Sequence, residues 1–257
     1  MEIRTSRPLP RPALYLAGAA LLTLVCVHVA PGSGGVHPVR DLMSEYPVRT
    51  VETGVAYTLA LLGANVAVVL LGAHWVRDGL LRSRPAATTL LALWCVSLLG
   101  LTVFLKDPVG SSATWYGTVH LVCTVVNFVS LPALCALLWW RHRGDSRWRT
   151  HATTVGVVAG LILACVVPFA VVLLARSESG ALSDGALGLV ERCVVVLDVV
   201  AIAALARWSR ATPPAGERPA SPGSPLLTLV QQAPEHRNEP SNGPLKPAEP
   251  ESAPGTA

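Results

Sequence analysis

Apolar residues run along the chain in six blocks, at about 13–30, 51–75, 86–105, 116–140, 152–175 and 186–206. Each block has the length, about 18–25 residues, that a helix needs to span a hydrocarbon core. A helix is the expected form because it satisfies its own backbone hydrogen bonds where no water can reach. No alternating apolar and polar pattern competes with it. The pattern predicts an all-α integral membrane six-helix bundle over 13–206. A short N-terminal segment, 1–12, precedes it and a tail, 207–257, follows.

Composition agrees with lipid as the solvent. Charged residues make up 14% of the chain and hydrophobic residues 51%, against roughly 25% charged in soluble domains. Basic residues set the expected orientation. Arg4, Arg7, Arg11, Arg77, Arg82, Arg84, Arg141, Arg143, Arg147, Arg149, Arg207 and Arg210 flank one side of the blocks. Only Arg40, Arg49, Lys106 and Arg176 flank the other. Twelve against four places both termini in the cytoplasm and the chain in the cell membrane as a multi-pass protein. The run "RHRGDSRWRT" reads as a positive-inside anchor, and no nucleic-acid partner is expected. The first block is long for a cleaved secretory signal, so a retained helix is favoured over one cut near "HVAPG".

The tail from Ala211 holds 11 of the 21 prolines. It is expected to be disordered and cytoplasmic, with residues 211–257 available to a protein partner. Its apolar island "PLLTLV" reads as a stray hydrophobic cluster before it reads as a docking motif. Cys26, Cys95, Cys123, Cys135, Cys165 and Cys193 all fall inside apolar blocks without a C-x-x-C pair. They are expected to act as small hydrophobes. No metal site and no cofactor is expected. Haem held by His28 with His120, or by His74 with His151, is the weakest of the readings.

Polar residues inside the blocks carry the functional interest, because charge within a membrane is costly and marks function by default. Along a 1.5 Å rise per residue they form two layers. The outer, extracytoplasmic layer holds His28, Glu52, Asp107, His120, Glu191 and Arg192, and the connection after the first block adds Asp41, Glu45 and Tyr46. The deeper layer holds Asn65, Asn127 and Asp198, near the midplane. His120 and Asn127 are seven residues apart and share a helix face, as do Glu191 and Asp198. Interhelical hydrogen bonding alone accounts for many such groups, and for Asn65 and Asn127 it is the favoured account.

Three stretches resemble a known family. "VRDLMSEYPVRTVETGVAYTLALLGANVAVVL" is similar to its I-S-D/E-Y segment, "FLKDPVGSSATWYGTVHLVCTVVNFVSLPAL" to its F-P-x-D-P and G-x-x-H-G segment, and "GLVERCVVVLDVVAIAALA" to its last helix. The chain resembles the bacterial domain of unknown function 998 family over about 13–206. The resemblance implies a six-helix integral membrane protein without an assigned activity, and it singles out Ser44, Glu45, Tyr46, Asp107, Pro108, Gly117 and His120. Two positions depart from the pattern. Lys106 stands where the family usually has a small polar residue. Leu121 stands where a glycine often follows the histidine, and is expected to narrow any site there.

No phosphate loop, zinc-protease helix or serine elbow is present, so no reaction is assigned, and a non-enzymatic role is preferred. The leading expectation is a polar small-molecule or lipid-headgroup site in the outer layer. His120 is its candidate acid or base, since imidazole titrates near neutral pH. Asp107 or Glu191 would orient it, and Asp41, Glu45 and Tyr46 would form a lid. Glu52, Arg192 and His28 are further binding candidates. The alternatives are a small transporter or proton-coupled carrier using the Glu191–Asp198 and His120–Asn127 stripes, and a structural or partner-binding membrane protein using its Pro-rich tail.

Overall fold

The computed structural model describes residues 9–29, 35–77, 80–81, 84–108, 111–179 and 187–211, without the side chains of 169 and 172–179. Arg4, Arg7, Arg82 and the tail from residue 212 lie outside the described residues. All regular structure among the described residues is helical. The helices are α1 (Arg11–Val29), α2 (Tyr46–Arg49), α3 (Val51–Arg77), α4 (Pro85–Val103), α5 (Trp115–His142), α6 (Arg149–Ser179) and α7 (Leu187–Ala211). Six are long, and each overlies one of the apolar blocks. Their ends differ by a few residues, most at α7, which runs to Ala211 rather than 206.

The short α2 follows a 3-10 turn at Met43–Glu45. Pro47 sits in its first turn, where a missing N–H costs nothing. Four residues are too few to show a helical period, so hydrophobic patterning passes over it.

Five helices are long and apolar enough to cross a membrane: α1, α3, α4, α5 and the Arg149–Pro168 part of α6. α7 is not among them; it carries Glu191, Arg192, Asp198, Arg207 and Arg210. The fold is that of a multi-pass helical membrane protein.

Long helices adjacent in sequence pack side by side, α1 on α3, α3 on α4, and so on to α6 on α7. α7 also touches α3 and α5, which closes the bundle around it. The heptad-like spacing of buried residues explains why these faces meet. On α7 they are Leu187, Val194, Asp198, Ala201, Leu205 and Trp208. On α5 they are Asn127, Phe128, Leu131, Leu134, Cys135 and Leu138. Steps of three, four and seven put each set on one stripe. Between α1 and α3 small residues do the work: a Cβ on Gly63 would rest 3.7 Å from the Ala20 Cβ. Close backbone approach of this kind replaces the hydrophobic drive that lipid removes.

The connections bring His28, Tyr46, Tyr57, Phe104, His120 and Arg192 to one end of the bundle. We call it the 39–49 end. At the opposite end Trp208 stacks on His151 and meets the His142 ring edge-on. There Arg143 lies 3.8 Å over the Trp140 ring and Arg147 lies 4.7 Å over Trp148. These cation–π contacts give the arginine-rich turn an aromatic footing.

Leu138 is fully buried between helices, whereas Leu121 is 46% exposed. Leu138→Ala is expected to cost about 2–3 kcal/mol through lost contacts and a residual cavity, and Leu121→Ala below about 0.5 kcal/mol. Reversible unfolding in mixed micelles measures both.

Candidate functional site

The first two turns of α7 hold the segment that precedes α2. The Leu189 N–H, left without an intrahelical partner so near the helix start, donates to the Val39 carbonyl at 3.0 Å. The Glu191 carboxylate accepts the Met43 N–H at 2.5 Å. Arg192 Nη1 donates to the carbonyls of Asp41 and Gly188 at 2.9 and 2.8 Å. Gly188 makes the approach feasible, because a Cβ there would collide with the Asp41 carbonyl and the Arg192 guanidinium.

Arg192 also reaches α1. Its Nε donates to His28 Nε2 at 2.7 Å. Arginine only donates, so Nε2 accepts, and His28 Nδ1 carries the proton that bonds the Leu24 carbonyl at 2.9 Å. The His28 ring lies 5.3 Å from the Tyr46 ring, and Tyr46 lies 5.9 Å from Tyr57. Tyr46 is almost fully buried. It is an anchor under the segment rather than part of a movable lid.

Glu45 joins this segment to the α4–α5 connection. Its carboxylate accepts from Lys106 Nζ at 2.9 Å and from Arg49 Nη2 at 2.8 Å. The Lys106 side chain is 14% exposed and that of Glu45 9%, so the pair is shielded. Burial alone would raise the Glu45 pKa, but the hydrogen bonds from Arg49 and Lys106 outweigh it and hold the carboxyl below its ordinary range. Arg49 is raised correspondingly, first through its hydrogen bond to Glu45.

His120 is oriented differently from the expectation. Its Nδ1 donates to the Phe104 carbonyl at 2.7 Å. α4 ends at Val103, so the carbonyls of its last turn have no helical partner, and the ring supplies one. In the neutral ring Nε2 then keeps the lone pair. Neither Asp107 nor Glu191 bonds the ring. Both Asp107 oxygens are taken by Thr114: Oδ2 accepts its N–H at 2.9 Å and Oδ1 its hydroxyl at 2.6 Å. These bonds, the hydroxyl first, hold the Asp107 pKa below its ordinary value. Thr114 in turn caps α5 by accepting from the Gly117 N–H. A Cβ on Gly117 would overlap the Asp107 carboxylate. Asp107 is therefore a cap-stabilising residue of the turn.

His120, Glu191 and Lys106 line one cavity of about 30 Å³, with Tyr57 and Thr124 beside them and Ser44 and Pro47 against them from the 39–49 segment. The volume is that of about one water molecule. Three elements thus bring a base, an acid and a cation to one chamber. Asp41 and Glu52 do not line it. Asp41 Oδ2 accepts its own turn's His37 N–H at 2.7 Å, and Glu52 is exposed. Leu121 does not line it either, so the expected narrowing at His120 does not occur.

The deeper residues divide. Asn65 Nδ2 donates to the Cys95 carbonyl at 2.9 Å. Asn127 Nδ2 donates to the Trp94 carbonyl and to Ser97 Oγ, both at 3.3 Å. Both amides bond α4 and serve as interhelical ties. Asp198 lines a second cavity of about 250 Å³. The two cavities share no lining residue, so the stripes expected to form a path are divided between two chambers. Among the described residues no group of three or more His, Cys, Asp or Glu side chains is arranged to hold a metal.

Sequence reasoning missed Lys106 as a site residue. The signal was available, since a lysine stands at a position where the resemblance calls for a small polar side chain.

A family model described as protein of unknown function (DUF998) matches residues 16–208, which include most of α1 and nearly all of α7. No curated protein and no solved structure matches the chain.

Glu45→Gln leaves the Lys106 ammonium without its counter-charge. The expected loss is about 2 kcal/mol, below the roughly 3–5 kcal/mol of a fully buried pair because Lys106 reaches solvent. A carboxyl with a depressed folded pKa stabilises above its unfolded value and ceases to as pH falls through the folded one. The difference in unfolding midpoint between wild type and Glu45→Gln is therefore expected to be full above the ordinary glutamate pKa of about 4.3 and to shrink progressively as pH falls below it. Gly188→Ala is expected to push Asp41 off α7, seen as faster amide exchange at residues 39–43 with α5 unchanged.

Proposed function

We propose that the chain, which belongs to the DUF998 family, is a membrane protein whose 39–49 end binds a polar headgroup or small solute from the extracytoplasmic side. The carrying observation is the single chamber lined by Lys106, His120 and Glu191. Opposite charges set side by side suit a ligand that bears both signs. A phosphate would face Lys106 and His120, and an ammonium would face Glu191. Charge-assisted hydrogen bonds are about twice as strong as neutral ones, and the low local dielectric strengthens them further.

At about 30 Å³ the chamber as it stands has room for little more than a water molecule. Ligand entry requires a local opening at Ser44 and Pro47, the residues of the 39–49 segment that line the chamber. In this reading the protein binds without chemistry, and His120 takes up a proton with the ligand, so that Nε2–H donates to the phosphate. The carrier alternative requires the two cavities to join.

Glycerophosphoethanolamine added to the purified full-length chain tests the reading through the unfolding midpoint. Wild type is expected to be stabilised in a saturable way. His120→Ala and Glu191→Gln are each expected to weaken the apparent affinity about tenfold, near the 1.4 kcal/mol expected of one charge-assisted bond. Equal response in all three proteins, or none in wild type at millimolar ligand and in phosphatidylethanolamine nanodiscs, would count against it.

A further inference from the structure

The second cavity lies between α1, α3 and α7, away from the 39–49 end. Its walls are apolar and built from small and aliphatic residues, among them Gly18 and Ala20 of α1 and Leu61 and Leu71 of α3. No α1 Cα comes within 8 Å of an α7 Cα among the described residues, so the two helices face one another across this space. Its volume of about 250 Å³ exceeds the roughly 150 Å³ in which an engineered apolar cavity takes benzene.

Asp198 belongs to this wall. It is 8% exposed, and no hydrogen bond to its carboxyl is well formed. The indole N–H of Trp94, on the same wall, is the donor that acts on it. That N–H is itself buried and completes no aligned bond. Asn127, the other polar side chain of the lining, has its amide engaged with Trp94 and Ser97. No lysine, arginine or histidine lines the space. A carboxyl held in an apolar chamber without a counter-charge is costly unless a partner arrives.

We propose that this cavity binds a lipophilic amine, with the ammonium on Asp198 and the apolar body against α1 and α3. Charge complementarity selects the head, since Asp198 is the one ionisable group of the lining. The apolar wall and the volume select an aryl or short alkyl body. Such molecules partition into bilayers and reach the cavity without crossing the 39–49 end. The site is separate from the Lys106–His120–Glu191 chamber, and neither proposal depends on the other.

The probe is 4-phenylbutylamine, compared with 4-phenylbutanol, on the purified full-length chain in nanodiscs. Saturable stabilisation is read from the unfolding midpoint. The amine is expected to bind wild type at least tenfold more tightly than the alcohol. Asp198→Asn is expected to remove that preference and leave alcohol binding unchanged. A Cβ on Gly18 meets nothing within 4 Å, so Gly18→Leu is expected to fill the cavity and abolish binding of both. It also keeps the test decisive if Asp198→Asn fails to fold. Equal affinity for amine and alcohol in wild type would overturn the proposal. So would an unchanged amine preference in Asp198→Asn, or full binding in Gly18→Leu. A co-purifying lipid chain or a dimer that Gly18→Leu removes, with no amine effect on wild type, would assign the cavity to lipid or to a second copy instead.

Discussion

One guanidinium holds the 39–49 end of this protein together. Arg192 donates to the His28 ring on α1, to the Asp41 carbonyl in the connection, and to the Gly188 carbonyl of its own helix. An arginine near lipid is tolerable only where its charge and donors are answered. Here Nε and Nη1 find acceptors in different parts of the chain, while Nη2 is buried without one, and those bonds fix where α1, the connection and α7 meet. The adjacent Glu191 adds the Met43 N–H. With the connection fixed, Glu45 stands where Lys106 reaches it, and Ser44 and Pro47 close over His120. The chamber is a consequence of that clamp.

This dependence explains a division of labour along α7. Its second turn, at Glu191 and Arg192, spends charge on fastening the connection. Two turns later Asp198 meets no such partner and stands in an apolar space. The helix is therefore the most polar of the long ones, yet it packs against α3, α5 and α6. Burial against protein rather than lipid is what permits its charges.

The helices were legible in the sequence because a bilayer imposes one length and one hydrogen-bonding solution. Blocks at 51–75 and 116–140 became Val51–Arg77 and Trp115–His142 with little change. His28, His120, Glu191 and Arg192 lie at one end of the bundle, and the Asn65 and Asn127 amides bond α4. Partners were not legible. His120 bonds the Phe104 carbonyl, Arg192 the Asp41 carbonyl, and Glu191 the Met43 N–H. These are backbone groups freed where helices stop, and residue type carries no mark of them. Asp107 looked like a partner for His120 from its position in the turn, but the nearer Thr114 uses both of its oxygens. Tyr46 looked like lid chemistry and proved to be an aromatic anchor. The cavity beside Asp198 depends on how far α1 stands from α7, which no local pattern records.

The clamp is tested most directly by amide hydrogen exchange at residues 39–45 in the full-length chain in nanodiscs, wild type against Arg192→Gln. If Arg192 fastens the connection, residues 39–45 exchange slowly in wild type and at least tenfold faster in the variant, while α4 and α5 are unchanged. If these residues already exchange at the rate of a free loop in wild type, or if Arg192→Gln leaves them protected, the 39–49 end is held by something else and the account of the chamber fails with it.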